Sequence, residues 1–161
     1  MQRAAIWQLG VLAALAAFSM TSAVAAKQSP NRLNAHSRYA RGGMTEGARQ
    51  YYAMVWGVDD FSAKLTESGQ LVRFSYRVVD AKKAALLQDR AASPALIDEA
   101  AHVALQVPNM EKVGPLRQSM PAQDGKVYWI AFSNKGFPVK KGQRVSVAIG
   151  SFKIDGLVVQ P

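Results

Sequence analysis

Residues 71–80 read LVRFSYRVVD. Val72, Phe74, Tyr76 and Val78 alternate with Arg73, Ser75 and Arg77, which is the period of a strand with one buried face and one wet face. Burying those four apolar side chains contributes roughly 1.5 to 3 kcal/mol each, so the stretch builds a core before it builds a site. Just upstream, residues 58–66 (VDDFSAKLT) set Phe61, Ala63 and Leu65 against Ser62, Lys64 and Thr66. Glu67, Ser68, Gly69 and Gln70 lie between the two runs and supply a turn. The pair is therefore predicted to form a hairpin.

Working outward, Thr45 is placed to cap a short helix that carries Ala48, Tyr51, Tyr52, Val55 and Trp56 at helical spacing and ends at Gly57. Such an aromatic stripe reads as a lid packed on a core. On the other side, Asp80 caps a helix predicted over 81–91, with Ala84, Leu87 and Ala91 on one stripe and Ser93-Pro94 as its stop. Leu96 and Ile97 give a short strand or turn, and Val103, Leu105 and Val107 alternate inward before Pro108. Residues 109–125 show no period. An irregular connection of that length is uncommon in a compact domain and is often functional. Residues 126–133 (KVYWIAFS) are apolar on both sides, as in a central strand covered on both faces, one of them by a helix. Val145, Val147 and Ile149 alternate, Gly150-Ser151 suits a tight hairpin, and Phe152, Ile154, Leu157 and Val159 follow with Asp155-Gly156 as a bulge. Six or seven short strands, most of them antiparallel, predict a mainly β domain over 45–161. The expected form is an antiparallel immunoglobulin-like β-sandwich with one or two short helices.

The N-terminus carries the most specific signal for destination. Arg3 precedes an apolar run over 4–18, and Ala23-Val24-Ala25 fits a small-residue cleavage site, so residues 1–26 read as a secretory signal peptide. The competing reading is an uncleaved membrane anchor over 4–26, the one membrane-spanning segment that the sequence offers. The chain has no Cys. That removes thiol nucleophiles and Cys-based metal sites, and for an exported protein it favours a periplasmic destination over the small disulfide-rich secreted class. Net charge is +9 over the full chain. Residues 27–50 hold five basic side chains, Lys27, Arg32, Arg38, Arg41 and Arg49, against Glu46 alone. Residues 27–44 are thus expected to be a disordered basic segment, either a solvated tether or a contact for anionic envelope polymers and headgroups. A single Arg-Gly-Gly at 41–43, with no repetition and no interleaved aromatics, argues against nucleic acid.

The stretches YYAMVWGVDD, VRFSYRVVD, VPNMEKVGPLRQ and YWIAFSN together resemble those of uncharacterised exported proteins of Gram-negative bacteria, in which a signal peptide precedes this domain. The likeness covers residues 45–160. It implies a widespread envelope domain and assigns no activity, so no functional residue is carried over from it.

Chemistry is sparse. A Ser/His/Asp mechanism needs a base beside its nucleophile, and the chain offers only His36 and His102, neither near a nucleophile motif. Asp59-Asp60 and Asp98-Glu99 are adjacent pairs whose members point to opposite strand faces, so they read as solvated turn charges. Met110, Met120 and His102 are the soft donors a Cu(I) site would use, but methionine as core filler explains them, and no metal or cofactor is expected. The remaining surface is basic. Arg73 and Arg77 share the outward face of the 71–80 strand, about 13 Å apart by strand rise, and Lys112 and Arg117 belong to the irregular loop. These four residues are the candidate binding set, for an envelope protein or an anionic polymer. The function expected is an exported, non-catalytic envelope binding or adaptor domain in the periplasm or secreted. The alternatives are a hydrolase of envelope polymers using a loop carboxylate such as Glu111, and a structural subunit of an envelope assembly.

Overall fold

The structure is a computed structural model and describes residues 44–161. The expected signal peptide, and the expected basic segment up to residue 43, lie outside the described residues. Helix α1 (Glu46–Trp56) starts at Thr45, whose hydroxyl accepts from the Ala48 N–H at 3.3 Å, and stops at Gly57 in the left-handed region. Strands β1 (Val58–Thr66) and β2 (Leu71–Val78) form the predicted hairpin around a 3-10 turn, Glu67–Gly69. A one-turn helix α2 (Ala81–Ala84), capped by Asp80, runs into a second 3-10 turn, Ala85–Gln88. Then follow β3 (Ala95–Asp98), β4 (Val103–Gln106), the two-residue strands β5 (Asn109–Met110) and β6 (Gly114–Pro115), β7 (Val127–Ser133), β8 (Arg144–Ile149) and β9 (Phe152–Gln160).

Seven strands hydrogen-bond in the order β4-β3-β8-β9-β1-β2-β7, while β5 and β6 pair separately. The protein is mainly β, as expected, but the immunoglobulin-like antiparallel sandwich is not confirmed. The sheet is mixed and nearly closed, with a parallel junction where Ala63 and Lys64 of β1 meet Val159 and Gln160 of β9. Two bulges bend it. Asp155 and Gly156 together face the single residue Ser146, and Asp60 and Phe61 together lie across from Tyr76. An extra residue on one strand increases local twist and turns the strand. That lets β9 leave β8 and finish beside β1.

The alternation read in β2 holds: Val72, Phe74, Tyr76 and Val78 are all buried, and Arg73 and Arg77 are exposed. They face Ile130 and Phe132 of β7, Val147 and Ile149 of β8, and Phe152 and Ile154 of β9 in one core. Helix α1 lies on this core through Tyr52 and Trp56, whose rings sit 5.2 Å from Phe61 and 5.4 Å from Phe152 respectively. Tyr51 and Val55, expected on the same stripe, are 55% and 48% exposed. One helical position corresponds to about 100° of rotation, and a helix touching a narrow aromatic patch buries one i, i+4 line only.

Two further expectations are corrected. The helix read over 81–91 ends at Gln88, and Ala91 is exposed. The carbonyls of Leu87 and Asp89, which a longer helix would use, accept from Arg117 instead. Residues 126–133, read as a central strand, form the terminal strand β7. Its free edge is taken by residues 116–118: Ala131 N–H donates to the Leu116 carbonyl at 2.9 Å and Gln118 N–H to the Trp129 carbonyl at 3.1 Å. Its outer side is covered over part of its length: Ala131 is buried and Trp129 half-buried, whereas Val127 at the start of the strand is 58% exposed.

Candidate binding cleft

The irregular stretch after β4 begins as a miniature hairpin. Asn109 pairs with Pro115 and Met110 with Gly114, leaving Glu111, Lys112 and Val113 at an exposed tip. Beyond it the chain is pinned from four directions. Arg117 donates from Nη1 to the Ala92 carbonyl at 2.8 Å and from Nη2 to the carbonyls of Leu87 (3.0 Å) and Asp89 (3.2 Å). Gln118 Oε1 accepts from the Trp129 N–H at 3.1 Å. Gln88, with its amide turned so that both ends are satisfied, accepts from the Tyr76 hydroxyl at 2.7 Å and donates to the carbonyls of Gln118 (2.9 Å) and Met120 (3.3 Å). The Tyr128 hydroxyl donates to the Pro121 carbonyl at 2.9 Å. The segment that looked functional because it lacked a period is thus first of all the piece that covers the free edge of β7. Its start is tied across to the other end of the sheet, where Leu116 N–H donates to the carbonyl of Pro108, just past β4.

Beside this segment lies an open cleft of about 750 Å³. One wall is the connection from α2 to β3, with Arg90, Ala92 and Pro94. The second is the end of β4 and the residues after it, Gln106, Val107 and Asn109. The third is the hairpin and pinned loop, with Val113, Pro115, Arg117 and Met120. The surface is mixed: small apolar groups, side-chain amides, the hydroxyls of Ser93 and Ser119, and two guanidinium groups. Among the described residues, no carboxylate and no imidazole lines it. Burial lowers the pKa of Arg117, opposed by the nearby Tyr76 and Asp89, and its Nε is buried without a partner. Such a cleft attracts negative charge and accepts hydrogen-bonding backbone.

The predicted binding residues do not assemble into one face. Arg77 is committed to Asp59 by two parallel hydrogen bonds of 2.9 Å, and that bonding raises its pKa. Arg73 is exposed on β2, flanked across the sheet by Lys64 and Ala131. Lys112 is exposed at the hairpin tip. Of the four, Arg117 alone lines the cleft. Arg90 and Gln106 were missed. Arg90 falls near the end of the helix expected over 81–91, which the chain does not continue past Gln88, and Gln106 reads as an ordinary wet strand position.

Other candidates resolve as follows. Asp98, expected among solvated turn charges, is fully buried, with Oδ1 accepting from Ala101 N–H at 3.0 Å and Oδ2 without a partner. His102 is exposed, and Met110 and Met120 are 49% and 55% exposed rather than core filler. Among the described residues no group of three or more His, Asp or Glu is placed to hold a metal ion, and no helix is long and apolar enough to cross a membrane. Compared with known proteins, the chain matches no family model, no curated protein and no solved structure.

Proposed function

We propose that the protein is an exported, non-catalytic binding module of the bacterial cell envelope, of the kind represented by the Gram-negative proteins its sequence resembles. Its ligand is held in the cleft between the α2–β3 connection, the end of β4 and the loop over 113–120. The observation that carries this reading is the lining: Arg90 and Arg117 beside amides, serine hydroxyls and small apolar groups, with no carboxylate or imidazole among the described residues there. A hydrolase acting through Glu111 is less well supported, because that carboxylate stands exposed at the hairpin tip and outside the lining. The basic face read on β2 gives way to the cleft, since Arg77 already has its carboxylate.

The test places a photo-crosslinking amino acid at Val113, at Met120 and, as a control on an exposed apolar position of another face, at Val127, in cells producing the full chain. Discrete adducts from positions 113 and 120 and none from 127 are expected. Adducts from 127 alone, or from no position, would remove the cleft as the binding surface.

A further inference from the structure

The nearly closed sheet ends in β4 on one side and in β7 with its pinned loop on the other, and the cleft lies at the Gln106 end of this junction. Strand β4 ends the sheet order and pairs with β3 alone. Among the described residues, no backbone hydrogen bond from any element other than β3 reaches residues 103–106. The facing border is β7 with its pinned segment: β4 lies close to β7, and the β5–β6 hairpin with its Leu116 to Pro108 hydrogen bond ties the two borders beyond the end of β4. Residues from both borders line the cleft, Gln106 and Val107 on one and Pro115 and Arg117 on the other. A strand edge left free presents N–H and C=O groups that a second extended chain can pair with.

We infer that the occupant of the cleft is an extended acidic peptide, which adds as a strand to the free edge of β4 from its Gln106 end. This deepens the binding-module reading and rests on it. The backbone of the peptide supplies affinity through the ladder, and its alternate side chains supply selectivity. Small apolar residues of the peptide fit against Pro94, Val107 and Pro115. An acidic residue meets Arg90, which is exposed and has no carboxylate beside it in the lining. Arg117 contributes positive potential rather than a direct contact, because its Nη groups are already spent on three carbonyls. Polyanions of repeating sugars have the charge but not the ladder of amides, which is why a peptide fits this edge better.

The experiment selects a phage-displayed library of random eight-residue peptides on the immobilised full chain. Enriched sequences are then made as synthetic peptides. Expected are acidic sequences with alternating small apolar residues, whose binding slows amide hydrogen exchange at residues 103–106 at least tenfold. Arg90→Glu should weaken them at least tenfold, and Arg73→Glu, on an exposed position away from the cleft, should leave them unchanged. N-methylation of alternate peptide residues along one edge should abolish binding. The inference is overturned by a library that yields no enriched sequence, by enriched peptides that leave the β4 amides unchanged, or by tolerance of N-methylation on both edges. It is also overturned if exchange at 103–106 slows with rising chain concentration in the absence of peptide, since a second copy would then occupy the edge. If dextran sulfate competes for the photo-crosslinks at positions 113 and 120 while no peptide is enriched, the strand inference falls and the binding module stands. Absence of those crosslinks would take both.

Discussion

Tyr76 is the residue at which the strand pattern and the loop meet. Its ring lies between Phe74 and Tyr128, at 5.6 and 6.1 Å, and its hydroxyl donates to Gln88, which in turn holds the loop carbonyls. Burial pushes its pKa well above the ordinary 10.0, although Arg117 pulls the other way. A phenol whose folded pKa is raised binds its proton more tightly folded than unfolded. Its contribution is therefore complete below pH 10 and is lost as pH rises beyond that value. Tyr76→Phe should cost about 1 to 3 kcal/mol at neutral pH, because the Gln88 oxygen loses its donor in a buried place. The same variant should lose less stability than the parent between about pH 9 and pH 11. Urea unfolding at both pH values checks this, and equal losses would show that another group governs the alkaline limit. The inward position of Tyr76 was legible in the two-residue period. Its partner was not: Gln88 sits twelve positions on, in a stretch whose composition reads as plain helix. Asn134 makes the same point. It opens an Asn-Lys-Gly run whose composition suits an exposed turn, yet it is fully buried, donating to the carbonyls of Gly69 and Val139 and accepting from the Val139 N–H. Composition and period say where a polar side chain is tolerated and do not say which carbonyl it will meet.

Elements were legible where their ends are set by local chemistry. Thr45, Asp80, the turn before β2, the tight hairpin at Gly150-Ser151 and the bulge at Asp155-Gly156 all fall where the residues put them. Elements whose limits depend on distant groups were not, and the shortened helix after Asp80 is the clearest case, because its carbonyls are claimed by Arg117. Gly57 joins the two situations. Its φ of +65° ends α1, which the sequence announced, but a side chain there would also run into the Asp80 carbonyl and lie 2.9 Å from the Cβ atoms of Asp80 and Lys83. The residue is at once a cap and the place where α1 and α2 approach each other. Gly57→Ala should cost about 1 to 2 kcal/mol for the left-handed backbone and about 1 to 3 kcal/mol more for overpacking. Urea denaturation measures the sum. A loss below 1 kcal/mol would mean that α1 can shift away from Asp80 without penalty.

The arrangement of the whole molecule was the least legible level, for a physical reason. The parallel junction joins Ala63 to Val159, and the sheet closes through a loop with no period, so neither leaves a local trace in the sequence. What the sequence did contain was the quantity of apolar surface on each strand, which is enough to require one core and too little to order the strands. One core has a consequence for unfolding. Trp56 on α1 touches Phe152 of β9, and Trp129 lies on β7, whose N–H is held by Gln118 of the closing loop. If lid, sheet and closing loop share that core, each should be lost at the same denaturant concentration, as in a cooperative single domain. Two single-tryptophan chains test this, one keeping Trp56 and the other Trp129, with the remaining tryptophans changed to Phe. Their fluorescence midpoints in urea should coincide with each other and with the loss of far-ultraviolet dichroism. An earlier transition at Trp56 would make α1 a lid that lifts from an intact sheet. An earlier one at Trp129 would mean that the junction beside the cleft opens first, with β7 and its pinned loop separating from β4 before the core is lost.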